Sequence, residues 1–151
     1  MIFCIDTSAM IDAGLRRYPA DLFPAFWDKM DALADAGRLK APPTLVEELE
    51  RQDEEWKAWV YERSEQIIVP PDANFVESVR TVVDAYVRLG ADPEKLTGDP
   101  FFVALSMAKG MTLLTSEQPG KGKVKLPTVC QAIGVKHCNL LDFMRQENWR
   151  F

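Results

Sequence analysis

The chain opens with the stretch Met1-Ile2-Phe3-Cys4-Ile5-Asp6-Thr7-Ser8, in which a short apolar run meets an acid and two hydroxyl residues. Consecutive apolar side chains are typical of a strand that is buried on both faces. Such strands occur in parallel sheets whose two faces are covered by helices. The opening residues therefore predict the first strand of an α/β fold, with Asp6 at its carboxyl end.

The rest of the chain alternates between helical and strand patterns. Apolar residues at three- and four-residue spacing predict helices, whose ranges are 21–38, 72–90, 99–110 and 127–133, with shorter ones after Pro43 and after Asn139. Buried-looking apolar runs predict further strands at 39–41, 67–69, 111–115 and 135–138. Parallel strands are joined by helical crossovers. We therefore expect one domain over residues 1–151, a three-layer α/β sandwich with a mostly parallel central sheet.

Composition excludes several classes of protein. The 151 residues are 47% hydrophobic and 27% charged, so a core can form without disulfides. No apolar run approaches the ~18 residues that a membrane span requires, and no charged segment precedes the first apolar run, as a secretion signal would need. The three cysteines, Cys4, Cys130 and Cys138, follow no CxxC spacing. We therefore expect a cytoplasmic protein with free thiols and no membrane contact.

The charge balance disfavours a protein that coats nucleic acid. Eighteen basic residues against 23 acidic ones give a net charge of −5, whereas proteins that bind nucleic acid by bulk electrostatics are usually basic. An enzyme whose acids surround a metal ion remains compatible with this charge, because the ion cancels it locally.

Four acids occupy positions at which an α/β fold places its ligands. Asp6 and Glu117 follow predicted strands, and Glu48 and Asp99 lie near the starts of predicted helices. Ligands of such folds bind beyond the carboxyl ends of the strands. Carboxylates that converge there repel one another unless a cation joins them, and Mg²⁺ prefers such oxygen ligands. Because His137 is the only histidine, a soft-metal site or a Ser-His-Asp triad is disfavoured.

These motifs occur in a recognisable order, namely Ile5-Asp6-Thr7-Ser8, Glu48-Leu49, Asp99 opening a helix, and Thr115-Ser116-Glu117 after a strand. In this respect the chain resembles, over its whole length, the PIN-domain family of ribonucleases, which includes VapC-type toxins. The segments 18–27 and 125–130 are similar to a less characterised PIN-like branch. The resemblance implies a PIN-like, Rossmann-like fold and a Mg²⁺- or Mn²⁺-dependent endoribonuclease, in which a metal-activated water cleaves RNA phosphodiester bonds.

The resemblance also implies roles for individual residues. Asp6, Glu48, Asp99 and Glu117 would be the catalytic and metal-binding acids, although Glu117 stands where many relatives have Asp. Thr7, Ser8, Thr115 and Ser116 would hold the geometry of the carboxylates or of metal-bound water. As a toxin of a type II toxin–antitoxin system, the protein would act on RNA, bind an antitoxin and form a homodimer. The aromatic helices around Trp27 and Trp56 offer surface for such contacts.

A loop rich in lysine and glycine follows Glu117. Its three lysines, Lys121, Lys123 and Lys125, are candidate contacts to the RNA backbone, since phosphate contacts commonly use lysine. The alternative is a solvated, flexible loop.

Simpler interpretations exist for the four acids. Asp6 and Asp99 both stand where an aspartate caps a helix. Glu47 is an alternative to Glu48 as the acid of the site. Glu117 could be an acid of a loop with no role in the site. Asp12 is assigned to a cap or to the surface. Two rival functions also remain open: a metal-dependent phosphatase or DNA nuclease, and a catalytically silent PIN-like module that binds RNA or protein. Ser8 disfavours a phospho-aspartyl phosphatase, which would carry a second aspartate there.

Overall fold

The computed structural model describes residues 1–51, 55–120 and 122–151 of the chain. The strands are β1 (Phe3–Ile5), β2 (Leu39–Lys40), β3 (Thr112–Leu114) and β4 (His137–Cys138). The helices are α1 (Thr7–Ile11), α2 (Pro24–Asp35), α3 (Thr44–Leu49), α4 (Glu55–Glu62), α5 (Ser64–Ile67), α6 (Ala73–Arg88), α7 (Asp99–Lys109), α8 (Leu126–Ile133) and α9 (Leu140–Gln146). A π-helical stretch, Asp12–Arg17, continues α1, and a 3₁₀ turn, Pro93–Lys95, precedes α7.

The strands form one four-stranded sheet in the order β2-β1-β3-β4, and every pair of neighbours is parallel. Phe3 pairs with Leu39 on one side and with Thr112 on the other. The helices flank this sheet, which confirms the predicted α/β class with a parallel central sheet. Because β1 and β3 are neighbours, the segments that leave their carboxyl ends emerge side by side.

Side-chain caps begin two of the predicted helices, the one from residue 72 and the one after Asn139. The Asp72 side chain accepts a hydrogen bond from the backbone N–H of Phe75 at 2.9 Å and begins α6. Asn139 accepts one from the N–H of Asp142 at 2.8 Å and begins α9. These contacts satisfy N–H groups that a helix leaves unpaired at its start.

The strand predicted at 67–69 is wrong. Ile67 ends helix α5, and Ile68 forms only an isolated parallel bridge with Ala41. Pro70 and Pro71 follow at once, and proline has no N–H with which to extend a ladder of hydrogen bonds. The apolar run therefore packs beside the sheet without becoming one of its strands.

The core lies on both faces of the sheet. Phe3, Ile5 and Leu113 have no exposed surface, as expected for strands covered by helices on each side. The rings of Phe3 and Phe143 meet edge to face, with centroids 4.8 Å apart. The three cysteines are buried and free, as predicted. Within the described ranges, no helix is long and apolar enough to cross a membrane.

We expect Ile5→Ala to destabilise the protein by about 2–5 kcal/mol, because it leaves a cavity in the centre of the sheet. Ile2→Ala is the matched control, since Ile2 is 41% exposed and its truncation should cost under ~1 kcal/mol. Urea unfolding of the two variants measures the difference. Equal losses would show that β1 does not anchor the core.

Candidate metal centre

Asp6 joins the segments that leave β1 and β3. Its Oδ1 accepts hydrogen bonds from the backbone N–H of Ala9 and the hydroxyl of Ser8, both at 2.8 Å, and its Oδ2 accepts one from the hydroxyl of Thr115. The side chain is nearly buried, at 2% exposure. Asp6 therefore does cap helix α1, as the simpler interpretation expected, and the same carboxylate also binds the end of β3.

Ser8 and Thr115 extend this connection into the loop after β3. Ser8 Oγ accepts a hydrogen bond from the backbone N–H of Ser116 at 3.1 Å, and Thr115 Oγ1 accepts one from the N–H of Glu117 at 3.1 Å. Each hydroxyl has a single hydrogen, and each donates it to Asp6. The two hydroxyls thus fix the Asp6 carboxylate on one side and the backbone that carries Glu117 on the other.

Asp99 lies in the first turn of α7, where the N-cap residue is Gly98. Its carboxylate forms no capping hydrogen bond, so the predicted alternative that Asp99 caps its helix is wrong. Burial raises the pKa of Asp99, while the nearby Glu117 and Lys125 side chains lower it. The carboxylate of Asp99 therefore faces Glu117 across the site.

Glu48 is the residue of its acidic run that turns inward. It is half-buried on α3, whereas Glu47 and Glu50 are exposed. A Cβ atom added at Gly98 would lie 2.6 Å from Glu48 Oε1 and 2.6 Å from Thr44 Cγ2. Glycine at 98 is thus what lets the Glu48 side chain approach the start of α7, beside Asp99.

Glu117 completes the group of four acids at this end of the sheet. Burial, followed by the charges of Asp99 and Asp6, raises the pKa of Glu117 to about 7. Burial also raises the pKa of Asp6 to about 7, against the lowering effect of its hydrogen bonds to Thr115, Ala9 and Ser8. The pKa of Glu48 is raised by burial and then by Asp99. The protein therefore places four carboxyl groups where each resists ionisation.

The chemistry of these side chains suits a hard divalent cation. In the part of the chain that the structure describes, Glu48 Oε1, Glu117 Oε2 and Thr7 Oγ1 are buried oxygen atoms without a hydrogen-bond partner. Carboxylate and hydroxyl oxygens are the donors that Mg²⁺ and Mn²⁺ favour. In the same ranges, however, no three acidic, histidine or cysteine side chains stand close enough together to hold one ion. These side chains are therefore of the right chemical types for such an ion, but they are not grouped closely around one position.

The lysine-rich loop borders the acidic site. Lys125 is half-buried at the start of α8 and lowers the pKa values of Asp99 and Glu117. Lys123 is exposed. Both line a cavity of about 790 Å³ together with Asp99 and Glu117. Lys121, the third predicted contact, lies outside the described residues.

Two residues of the site were not predicted. Asp12 is buried at 7% exposure, forms an ion pair with Arg17 at 2.8 Å and accepts a hydrogen bond from the Ser116 hydroxyl at 3.0 Å, so its assignment to a cap or the surface is wrong. Tyr86, on α6, is buried and lines the same cavity as Asp99 and Glu117. Its apolar neighbours in sequence predict a core residue, and nothing in the sequence shows which groups surround its hydroxyl.

The tryptophan of α2 does not offer a contact surface. Trp27 is 7% exposed, and its indole N–H donates to the backbone oxygen of Tyr18 at 2.6 Å. Its ring meets Trp59 edge to face, with centroids 5.2 Å apart. Trp27 therefore packs inside the protein, contrary to the expectation of a docking surface, while the side chain of Trp56 lies outside the described residues.

Comparisons with known proteins agree with this architecture. A family model described as a domain of unknown function (DUF4411) matches residues 3–151. Among curated proteins, none matches the chain in sequence.

Solved structures with the same fold include three complexes. VapBC2 from Rickettsia felis, bound to a DNA fragment from its promoter, aligns with a TM-score of 0.60 at 13% identity over 92% of this chain and 98% of that one. VapBC-1 from nontypeable Haemophilus influenzae gives 0.61 at 12% identity, over 92% and 98%. FitAB bound to the IR36 DNA fragment gives 0.56 at 17% identity, over 91% and 94%. The resemblance to the PIN-domain family is thus supported by the fold.

The raised pKa of Asp6 predicts that stability falls as the pH rises. Between its ordinary value of 3.8 and the folded value of about 7, the folded protein holds a proton that the unfolded chain has released. Stability from this group is therefore complete below pH 3.8 and is lost as the pH approaches 7. In chelator, we expect the free energy of unfolding to fall across this window, and to fall less steeply in Asp6→Asn.

Urea unfolding at a series of pH values measures this slope, and the surface variant Asp21→Asn is the matched control. One group contributes at most about 1.4 kcal/mol per pH unit. An Asp6→Asn slope equal to that of the wild type would contradict the burial of an acid that resists ionisation.

Thr115→Val should remove the tie between β3 and Asp6 while keeping the shape of the side chain. We expect a loss of about 1–3 kcal/mol, because buried polar partners are left unsatisfied. The loss should grow with pH, since the Thr115 hydroxyl gives the largest favourable contribution to the ionised form of Asp6. The control is Thr112→Val, which is also buried. Chemical unfolding at acidic and at alkaline pH provides the measurement, and a pH-independent loss would contradict the assignment.

Proposed function

The chain belongs to the DUF4411 family, and we propose that it is a metal-dependent endoribonuclease that cleaves RNA phosphodiester bonds. The observation that carries this proposal is that Asp6, Glu48, Asp99 and Glu117 all lie at the carboxyl end of the sheet, with raised pKa values in all four and unpaired buried oxygens on Glu48 and Glu117. Proteins rarely bury several carboxylates together unless a cation or a reaction uses them.

The four acids would hold Mg²⁺ or Mn²⁺. When bound, such an ion supplies an activated water and stabilises charge on a phosphoryl oxygen. The role of the chain is to present the ligands. The hydroxyls of Ser8 and Thr115 fix the orientation of Asp6, and Gly98 leaves the space in which Glu48 lies beside Asp99.

The neighbouring cavity suits a phosphate backbone. Lys123 and Lys125 line it on the same side of the protein as Glu117 and Asp99, so positive charge lies directly beside the acidic group. Lysine contacts of this kind position a nucleic acid without reading its sequence. They offset locally the net charge of −5, which would otherwise repel RNA.

The shared fold supports a place in a toxin–antitoxin pair. VapBC2, VapBC-1 and FitAB are complexes that contain a protein of this fold. On this basis the protein acts in the cytoplasm as the toxin of a type II system, bound by an antitoxin and assembled as a homodimer.

A second candidate function is a silent module that binds RNA or protein without cleaving it. One observation favours it: within the described ranges, no three potential metal ligands stand together. Metal binding separates the two candidates, because an ion that binds only the folded state raises its stability.

The test is cleavage of a labelled RNA pool with Mn²⁺, with Mg²⁺ and with chelator. We expect metal-dependent cleavage by the wild type and a loss of at least ~100-fold in Asp6→Asn and Glu48→Gln, since removal of a ligand should exceed the 10–100-fold cost of losing an outer-shell partner. Glu47→Gln is the matched control, because Glu47 is exposed and its variant should cleave like the wild type.

Thermal unfolding on the same variants decides between the candidates. Mn²⁺ should raise the melting temperature of the wild type and not that of Asp6→Asn. Stabilisation without cleavage would favour the silent module. If the folded wild type shows neither metal-dependent cleavage nor stabilisation by Mn²⁺, the metal centre is wrong.

A further inference from the structure

The phenol of Tyr86 is the most unusual polar group near the acidic site. Tyr86 is 2% exposed, and its hydroxyl finds no hydrogen-bond partner in residues 1–51, 55–120 and 122–151. Buried tyrosine hydroxyls normally have a partner, since an unsatisfied one destabilises the folded state. A group kept at such a cost is a candidate for function.

The surroundings of this hydroxyl are acidic. Burial, followed by the negative charges of Asp99 and Glu117, raises the pKa of Tyr86, so the phenol stays protonated and can only donate to a carboxylate. Glu117 Oε2 is itself buried and unpaired. A buried O–H donor without an acceptor and a buried carboxylate oxygen without a donor thus belong to residues that line one cavity, together with Asp99.

We propose that Tyr86 is a positioning residue of the acidic site, and that its phenol donates a hydrogen bond to the Asp99–Glu117 carboxylate pair when that pair holds a divalent metal ion. This inference rests on the proposed function. Carboxylates that bind metal are themselves hydrogen-bonded, and these outer partners fix the direction of the ligand oxygens. The chain already supplies such donors to Asp6, from Ser8 and Thr115. Tyr86 is the corresponding donor for Asp99 and Glu117, with which it shares a cavity.

A structural role for the hydroxyl makes the opposite prediction about stability. If the phenol served folding, its removal would destabilise the metal-free protein. Because it forms no hydrogen bond in the described part of the chain, its removal should instead leave the metal-free protein equally stable or slightly more stable. The two roles are therefore distinguishable without an activity assay.

The experiment compares the wild type, Tyr86→Phe and a control in a thermal-unfolding titration with MnCl₂, with chelator as the metal-free reference. Tyr61→Phe is the matched control, since Tyr61 is exposed on α4 and contacts Glu50. We expect Tyr86→Phe to match or exceed the wild-type melting temperature in chelator. It should also require about 10-fold or more Mn²⁺ for the same stabilisation, the usual cost of losing an outer-shell partner.

A double variant identifies the partner. In the Glu117→Gln background, Tyr86→Phe should cause a smaller loss of Mn²⁺ affinity than it does alone, because the two residues interact. Equal Mn²⁺ affinity of Tyr86→Phe and wild type, or a lower melting temperature of Tyr86→Phe in chelator, would overturn the inference. Failure of Mn²⁺ to stabilise the wild type would instead overturn the proposed metal centre, and the role of Tyr86 with it.

Discussion

The hydrogen bond from Thr115 to Asp6 connects the ends of the two central strands, and the candidate site depends on it. β1 and β3 are adjacent and parallel, so their connections leave the sheet together. The Thr115 hydroxyl donates to the carboxylate and accepts the N–H of Glu117, and Ser116 donates to both Ser8 and Asp12. Together these contacts fix Glu117 relative to Asp6. The geometry of the acids is therefore a consequence of strand order.

The buried acids that would bind a cation also lower the stability of the metal-free protein. Burial is the largest cause of the raised pKa in all four acids, so the folded protein disfavours their charged forms relative to the unfolded chain. A protein selected for stability alone would replace such groups with apolar ones. A bound cation reverses the balance, because it favours the ionised carboxylates that burial disfavours. The same groups that destabilise the metal-free protein would then stabilise the loaded one.

The sequence predicted the structure best where neighbouring residues alone determine the local geometry. An apolar run followed by Asp6 predicted both the strand and the position of the acid, and the caps at Asp72 and Asn139 followed from local chemistry. The sequence-based predictions failed where contacts between distant segments determine the structure. The run at 67–69 looked like a strand, but it pairs only through the single bridge between Ile68 and Ala41, and the prolines after it stop the ladder there. Asp12 was missed because Ser116, which donates to it, lies far along the chain. Tyr86 was missed because distant segments form the cavity that it lines, and no local pattern encodes such an arrangement.

The unpaired oxygens bear on the choice between an enzyme and a silent module. Each buried polar atom without a partner costs about 1–3 kcal/mol, a large fraction of the 5–15 kcal/mol by which domains are stable. A module that only presented an outer surface to RNA or protein would lose nothing by pairing or removing Glu48 Oε1 and Glu117 Oε2, which are buried. A ligand that enters the site accounts for both atoms at once. The unpaired groups of the described residues belong to Thr7 on α1, Glu48 on α3, Tyr86 on α6 and Glu117 after β3. Two of these four residues are themselves acids of the candidate site, which favours a bound ion over a purely structural interpretation.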